Sequence, residues 1–213
     1  MLMKVILVNG SPHKEGCTYT ALAEVAGTLK QEGIATEFFW IGKKPVSGCI
    51  ACKTCAKKGK CFLNDGVNDF VELAQGADGF IFGSPVHYAA ASGALTSFMD
   101  RAFYSDSQAG RQSFYLKPAA AVVSARRAGT TAAFDQINKY FTIAEMPVIS
   151  SRYWNMVHGA APEDVKKDLE GLQTMRVLAR NMAWFLKCKE AGLKAGVRFP
   201  EREEGIRTNF IRE

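Results

Sequence analysis

The amino-acid sequence predicts an α/β fold in which a five-stranded parallel sheet is wound with helices on both faces. Short apolar and β-branched runs alternate along the chain with longer segments that have the periodicity of amphipathic helices. The run AAAVVS at residues 119–124 is nearly all apolar, as expected for a strand covered on both faces. At 213 residues, 47% of them hydrophobic, the chain is long enough to bury the core of one such domain.

The predicted elements alternate in chain order. Strands are predicted at residues 4–8, 36–41, 79–82, 119–124 and 148–153. Helices are predicted at residues 17–31, 68–75, 92–103, 131–145 and 162–190. Asp100 and Arg101 are expected to end the third helix as a structural ion pair. The last helix has one apolar stripe, and Cys188 within it is expected to be a core residue.

The first strand leads into a loop rich in Gly, Ser and Thr, with the sequence NGSPHKEGCTYT at residues 9–20. A helix begins inside this loop, and the first turn of a helix offers unpaired N–H groups and a positive dipole end to an anion. Gly10 and Gly16 permit backbone conformations that are closed to other residues, so several N–H groups can point at one centre. The loop fits neither the Walker pattern nor the dinucleotide G-x-G-x-x-G pattern. It is predicted to bind a phosphate; the alternative is a polar turn that binds nothing.

Two further strands end in Gly- and Ser-rich segments, GSPVHYAAASG at residues 83–93 and SARRAGTT at residues 124–131. Parallel strands place all three of these loops at one edge of the sheet, where α/β proteins of this kind bind ligands. The second loop offers Pro85, His87 and Tyr88, and the third offers arginines and backbone amides. A flat ring that carries carbonyls and ring nitrogens would fit between them.

A compact run of cysteines interrupts the alternation of strands and helices. Cys49, Cys52, Cys55 and Cys61 are separated by two, two and five residues. Four closely spaced thiolates on an irregular loop can surround a 4Fe–4S cluster, and this is the predicted occupant. Structural zinc also takes four thiolates, usually from two well-separated pairs, and four metal-free thiols are the third interpretation.

Composition and charge restrict the class of partner. The net charge of +6 favours anionic ligands or acidic proteins, and no basic tract interleaved with aromatic residues indicates nucleic-acid binding. The N-terminal apolar run is too short for a signal peptide or membrane span, so we expect a cytoplasmic protein with reduced or metal-bound cysteines. The cysteine loop also contains Lys53, Lys57, Lys58 and Lys60. These lysines would stabilise a negatively charged cluster and dock an acidic, ferredoxin-like carrier, or they form a solvated surface.

These motifs resemble those of the flavodoxin-like NAD(P)H-dependent FMN reductases and, within that group, of the iron–sulfur flavoproteins. The matching segments are NGSPHKEGCT at 9–18, GCIACKTCAKKGKC at 48–61, Asp65, ADGFIFGSPVHY at 77–88 and SGALTSFMDR at 92–101. The resemblance implies a flavodoxin-like, doubly wound sheet of order 2-1-3-4-5 with a cysteine-rich loop insertion. Residues 1–190 would form the FMN-binding domain. Residues 191–213, with Phe210 and Ile211, would form a tail or an arm over a neighbouring subunit.

The resemblance implies FMN as the cofactor. The phosphate would be bound by Ser11, His13, Gly16 and Thr18. The isoalloxazine ring would lie against Pro85, Val86, His87 and Tyr88. The loop with Ser124, Arg126, Ala128 and Gly129 would line the other edge of the ring. The family often has an aromatic residue where this chain has His87 and a lysine where it has Thr96.

Cys17 falls at the start of the first helix, beside the expected phosphate. A helix N-terminus lowers the pKa of a thiol, which would make Cys17 reactive. The other interpretation is a small residue that packs beside the phosphate.

The implied function is that of an FMN-dependent oxidoreductase in which the flavin carries the chemistry and no catalytic side chain is required. Electrons would pass between NAD(P)H or a reduced carrier and an acceptor such as a flavin, a quinone or a redox protein. A homodimer or homotetramer is implied, because the flavin of this family lies near a subunit interface. Two alternatives stay open: a simple NAD(P)H-dependent FMN or quinone reductase without a cluster, and a non-enzymatic flavin- or zinc-based redox sensor.

Overall fold

The structure is a computed structural model that describes residues 2–206 and residue 208. The strands are β1 (Lys4–Asn9), β2 (Ala35–Trp40), β3 (Gly79–His87), β4 (Ala90–Ala91), β5 (Ala119–Ala125) and β6 (Met156–His158). The helices are α1 (Cys17–Gln31), α2 (Thr54–Lys58), α3 (Gly66–Gln75), α4 (Gly93–Gln108), α5 (Thr130–Ile143), α6 (Pro162–Val165) and α7 (Leu169–Lys194).

Five strands form one parallel sheet in the order β2-β1-β3-β5-β6, and β4 pairs antiparallel with the end of β3. Counted without β4, this order is 2-1-3-4-5, which confirms the predicted doubly wound sheet. Strand β1 lies between β2 and β3 and pairs in parallel with both. The direction of winding reverses there, so the carboxyl ends of β1 and β3 meet at the switch point where such sheets bind ligands.

Two apolar layers cover the sheet, because alternate residues of a strand point to opposite faces. On one face, Ile6 and Val8 of β1 pack with α3, α4 and α5 in a core rich in phenylalanine. On the other face, Val5 and Leu7 pack with α1 and α7. All four side chains have 0% exposure, so the loops at the carboxyl edge stand on a close-packed support.

The last parallel strand lies later in the chain than predicted. The predicted strand at residues 148–153 is wrong: Val148 makes only an isolated bridge to Ala119, and the strand forms further on, as β6. The hydroxyl of Ser151 donates to the carbonyl of Tyr153 and accepts its N–H. These local bonds compete with the strand ladder and draw the segment out of the sheet.

The predicted single helix at residues 162–190 is also wrong, because the chain forms α6 and α7 instead. Asp164 accepts two backbone N–H groups just before α6. Asp168 then starts α7 as its N-cap, accepting the N–H of Gly171 at 2.9 Å. Cys188 lies on α7 but is exposed, which corrects its expected place in the core.

The residues that follow α7 contact the body of the chain. The ring of Phe199 lies 5.4 Å from Lys189 Nζ, and Arg202 packs on Tyr115 while pairing with Glu145 at 2.6 Å. Phe210 and Ile211, on which the predicted subunit arm rests, lie outside the described residues. Among the helices that the structure describes, none combines the length and apolarity that a membrane span needs.

Candidate functional site

The three Gly- and Ser-rich loops leave the sheet along one edge. In the register of the sheet, Asn9 of β1 pairs with Gly83 of β3, and Pro85 of β3 pairs with Ser124 of β5. The N–H of Gly10 donates to the carbonyl of Gly83 at 2.8 Å. The first and second loops are therefore joined directly at their bases.

A buried pair of hydroxyls joins the first loop to the third. Thr18 Oγ1 lies 2.8 Å from Ser124 Oγ, and the two residues are 1% and 3% exposed. Buried hydroxyls need such partners, because an unpaired one costs about 1–3 kcal/mol. The pair fixes the start of α1 against the end of β5.

The second and third loops are in contact at Gly129, whose φ of +96° lies in the left-handed region. A Cβ at this position would lie 2.6 Å from Ala89 Cα and 2.9 Å from Val86 Cγ1, closer than real Cβ atoms approach. Only glycine satisfies both the dihedral and this close approach.

The first loop leaves several backbone donors free. Ser11 donates its N–H to Asn9 Oδ1 at 3.0 Å and accepts the N–H of His13 at 3.1 Å, while Trp40 Nε1 donates to the Ser11 carbonyl. Gly16, the N-cap of α1, provides no side-chain cap. Among the described residues, no acceptor receives the N–H groups of Lys14, Glu15 and Thr18. Unpaired amides at a helix N-terminus form a cradle of the kind that a phosphate fits.

The second loop is a tight hairpin that the sequence did not predict. Tyr88 and Ala89 connect β3 to β4 with φ of +48° and +59°, as a type I′ turn requires. Gln136 Oε1 accepts the N–H of Ala91 at 2.9 Å and holds the returning strand. Pro85 and Val86 are half-buried, whereas His87 and Tyr88 are exposed at the rim.

The third loop contributes both buried and exposed residues. Ser124 is buried at the end of β5, whereas Arg126 and Ala128 are exposed beyond it. The predicted ring-binding residues thus form a rim between two touching loops.

Cys17 is half-buried, and its Sγ lies 3.7 Å from the carbonyl of Gly159. Burial raises the pKa of this thiol, and the nearby charges of Asp164 and Glu163 oppose ionisation further, although a backbone hydrogen bond acts in the other direction. The half-buried position against Gly159 and the raised pKa both favour the packed residue over a reactive thiol.

The four clustered cysteines line one small cavity of about 20 Å³ together with Arg101 and Tyr104. Cys55 is buried in α2, a short helix inside the loop that was predicted to be irregular, and Cys49 and Cys52 are exposed. Burial raises the pKa of Cys55, and the charges of Cys61 and Cys49 raise it further. Hydrogen bonds from Thr54 lower the pKa of Cys52. Within residues 2–206, no group of three or more His, Cys, Asp or Glu side chains is arranged to hold a metal ion.

Arg101 joins this cavity to the protein core. It does not end its helix as predicted, because α4 continues to Gln108, and its partner is Asp65 rather than Asp100. The guanidinium donates to both carboxylate oxygens of Asp65, at 2.6 and 2.8 Å, and to Cys61 Sγ from Nε and Nη2, each at 3.4 Å.

The family model for NADPH-dependent FMN reductase matches residues 3–161, which include the three loops and the four cysteines. The chain belongs to the NADPH-dependent FMN reductase family. It is therefore an oxidoreductase flavoprotein.

Two relatives of this family member are iron–sulfur flavoproteins of Methanocaldococcus jannaschii. One is 36% identical over 194 residues, which are 87% of this chain and 98% of the relative. The other is 31% identical over 189 residues, which are 82% of this chain and 92% of the relative.

Solved structures share the fold at low sequence identity. RosB with a bound 8-demethyl-8-formylriboflavin-5′-phosphate intermediate has a TM-score of 0.67 at 13% identity, covering 98% of this chain and 92% of its own. A flavodoxin from the domain Archaea has a TM-score of 0.58 at 16% identity, covering 87% of this chain and 99% of its own. The flavodoxin-like fold of this FMN reductase family member is thereby shown.

Helix α4 connects the two candidate sites of this FMN reductase family member. It begins at Gly93, directly after the hairpin of the second loop, and Arg101 at the cysteines follows eight residues later. At 1.5 Å per residue, this is a distance of about 12 Å along the helix axis. The motif SGALTSFMDR was the available signal in the sequence, but only the fold shows that its two ends lie at two different candidate sites.

Proposed function

We propose that this FMN reductase family member binds FMN at the three loops and a 4Fe–4S cluster at Cys49, Cys52, Cys55 and Cys61. It would pass electrons between NAD(P)H or a reduced carrier and a flavin, quinone or redox-protein acceptor. The observation that carries the proposal is the position of α4, whose first residues adjoin the flavin loops and whose Arg101 contacts the cysteine cavity. The iron–sulfur flavoprotein relatives support the proposal.

The first loop suits the phosphate of FMN because several of its backbone N–H groups have no acceptor among the described residues. The free N–H groups at the start of α1 would bind the phosphate oxygens, with Ser11, His13, Gly16 and Thr18 forming the cradle. A Cβ on Gly16 would lie 2.9 Å from His13 Cβ, so the loop is closed tightly at this point. The positive end of the α1 dipole would favour the phosphate charge.

The ring site would lie between the hairpin of the second loop and the third loop. Pro85 and Val86 present apolar, half-buried surface, and Gly129 keeps the two loops in contact. His87 and Tyr88 would border the open side, through which a planar nicotinamide or quinone could enter. Bound FMN would supply reversible uptake of one or two electrons, and the chain would supply orientation and hydrogen bonds.

The cysteine cavity offers the donor set of a cluster, because four cysteines line one space. That space is about 20 Å³, roughly one water molecule, so cluster binding requires the exposed segment with Cys49 and Cys52 to rearrange. A bound cluster would supply one-electron transfer to external carriers. The exposed Lys57 and Lys58 of α2 would attract an acidic, ferredoxin-like carrier.

Further parts of the proposal concern assembly and location. We place a homodimer or homotetramer contact at the fully exposed Tyr88, which sedimentation of the FMN-bound protein would test. Residues 1–190 would act as the FMN-binding domain, with residues 191–213 as a tail or arm. A cytoplasmic location would keep the six cysteines reduced or metal-bound.

One experiment tests the function as a whole. Protein purified without oxygen is expected to show flavin absorption bands together with a broad brown shoulder that dithionite bleaches. Stopped-flow mixing with NADH, NADPH and reduced ferredoxin then identifies the electron donor. Flavin bands without the shoulder would indicate a simple reductase. No uptake of added FMN would rule out the redox assignment and leave only a sensor or another ligand.

The phosphate cradle is tested by Thr18→Val. Loss of the hydroxyl removes a hydrogen bond to a charged group and leaves Ser124 unpaired, so we expect FMN affinity to fall by about 10- to 100-fold. Thr28→Val is the matched control, because Thr28 is a buried threonine of the same helix whose hydroxyl donates to the Glu24 carbonyl. Quenching of flavin fluorescence measures both affinities, and equal losses would remove Thr18 from the phosphate site.

The cluster site is tested by Cys55→Ser. We expect anaerobic reconstitution to incorporate iron and sulfide into the unmodified protein and far less into this variant, because a cubane cluster needs all four thiolates. Cys188→Ser, which removes an exposed thiol outside the cavity, should leave the iron content unchanged. Equal iron contents in the two variants would contradict the assignment.

A further inference from the structure

Arg101 is a buried cation that pairs with Asp65 and also donates hydrogen bonds to Cys61 Sγ, which the ion pair alone does not require. Its side chain is 1% exposed, and removing a charge from water costs several kcal/mol unless hydrogen bonds compensate. Asp65 neutralises the charge through Nη1 and Nη2, and the carbonyls of Ser47 and Leu63 accept further bonds. The Nε–H has only Cys61 Sγ as its acceptor among the described residues.

Cys61 is held more firmly than two of the other three cysteines. Asn68 accepts the N–H of Cys61 at 2.9 Å and donates to its carbonyl at 3.1 Å, so the backbone is fixed on both sides. Arg101 then fixes the sulfur itself with two N–H donors. Cys49 and Cys52 are exposed, and Cys52 lies between Ala51 and Lys53, whose φ angles are positive. Cys52 receives its side-chain hydrogen bond from Thr54 at an exposed position, not from a buried cation.

We propose that Arg101 is a positioning residue that holds Cys61 as the preformed first ligand and, with a cluster bound, stabilises the form carrying the additional electron. This inference rests on the proposed cluster function for its second half only. Hydrogen bonds to cluster sulfurs and nearby charge set cluster reduction potentials. The step would be the gain of one electron by the cluster from the reduced flavin, which would be oxidised by one electron. No bond breaks and no proton moves, because the guanidinium stays protonated.

The electronic effect is tested by redox titration of the reconstituted protein, followed by electron paramagnetic resonance. For Arg101→Met we expect the equilibrium between reduced and oxidised cluster to move at least tenfold toward the oxidised form, which is 59 mV for one electron. Lys57→Met is the matched control, because it also removes one positive charge near the cysteines, from α2 and at an exposed position where water screens it. Arg101→Lys keeps the charge but loses the planar fork, and it should give an intermediate shift.

The positioning effect is tested without any cluster. Arg101→Met, Cys61→Ala and the double variant are unfolded by urea in metal-free, reduced form. Each variant changes the equilibrium constant of unfolding by some factor. We expect the factor for the double variant to differ about fivefold or more from the product of the two single factors, as for residues in direct contact. Where Arg101→Met does not fold, the cycle is run with Arg101→Lys.

The two measurements separate this inference from the proposed function. Additive effects in the cycle would show that Arg101 does not hold Cys61, and a shift no larger than that of Lys57→Met would overturn the electronic role. Failure of the unmodified protein to take up iron and sulfide would remove the cluster function. The cycle would then decide the positioning role by itself.

Discussion

Asp65→Asn is expected to lower the free energy of unfolding by about 2–4 kcal/mol, because it leaves the buried guanidinium of Arg101 without its counter-charge. The lower end of the range applies because the Asp65 side chain is 39% exposed and solvent screens part of the pair. Asp65 is also the N-cap of α3, and asparagine caps helices as well as aspartate does. The substitution therefore removes the charge at residue 65 and keeps the helix cap.

The matched control is Asp69→Asn, which removes an exposed carboxylate from the first turn of the same helix. Only a favourable interaction with the helix dipole is lost there, so we expect a cost of about 0.3–1 kcal/mol. Urea unfolding at neutral pH measures both variants. Similar losses in the two would show that the pair of Asp65 and Arg101 contributes little.

The same pair predicts a pH dependence. Partial burial opposes ionisation of Asp65, but the hydrogen bonds and charge of Arg101 outweigh burial, so the pKa lies below its ordinary value of 3.8. An acid with a lowered pKa in the folded state stabilises the fold above its ordinary pKa, and this contribution is lost as pH falls through the folded value. Unfolding free energy should thus fall more steeply below about pH 4 in the unmodified protein than in Asp65→Asn. Parallel curves would contradict the assignment.

Gly129→Ala is expected to weaken FMN binding by at least about tenfold, because the new Cβ would force the second and third loops apart. The Cβ would lie 2.6 Å from Ala89 Cα, a backbone atom that cannot turn away as a flexible side chain can. The left-handed φ adds a further strain of about 1–3 kcal/mol in the folded state.

The variant Gly196→Ala separates the effect of forcing the loops apart from the effect of backbone strain. Gly196 has a φ of +88°, close to that of Gly129, but nothing lies within 4 Å of its Cβ position. Both variants should lose stability through strain, whereas only Gly129→Ala should lose FMN affinity, measured by flavin fluorescence. Equal affinities in the two would show that contact between the loops is not needed to hold the ring.

The sequence predicted the supports of the site more accurately than its contacts. The predicted α1 has the observed bounds, because its apolar face, the Gly-rich loop before it and the turn after it act over a few residues. The strand predicted at residues 148–153 was wrong, because side-chain bonds of Ser151 compete locally with the ladder. The division between α6 and α7 was missed, because the prediction began the helix at residue 162, although its apolar stripe begins only at Leu169, directly after the cap at Asp168.

The sequence by itself determined the doubly wound fold, the three loops at the strand ends and the spacing of the four cysteines. These features depend on periodicity and turn chemistry between neighbouring residues. Only the tertiary structure decided that Thr18 pairs with Ser124 and that Arg101 reaches Cys61, contacts that join residues 106 and 40 positions apart. Such contacts depend on how packed helices and strands orient side chains in space, and a pattern read along the chain carries no information on that orientation.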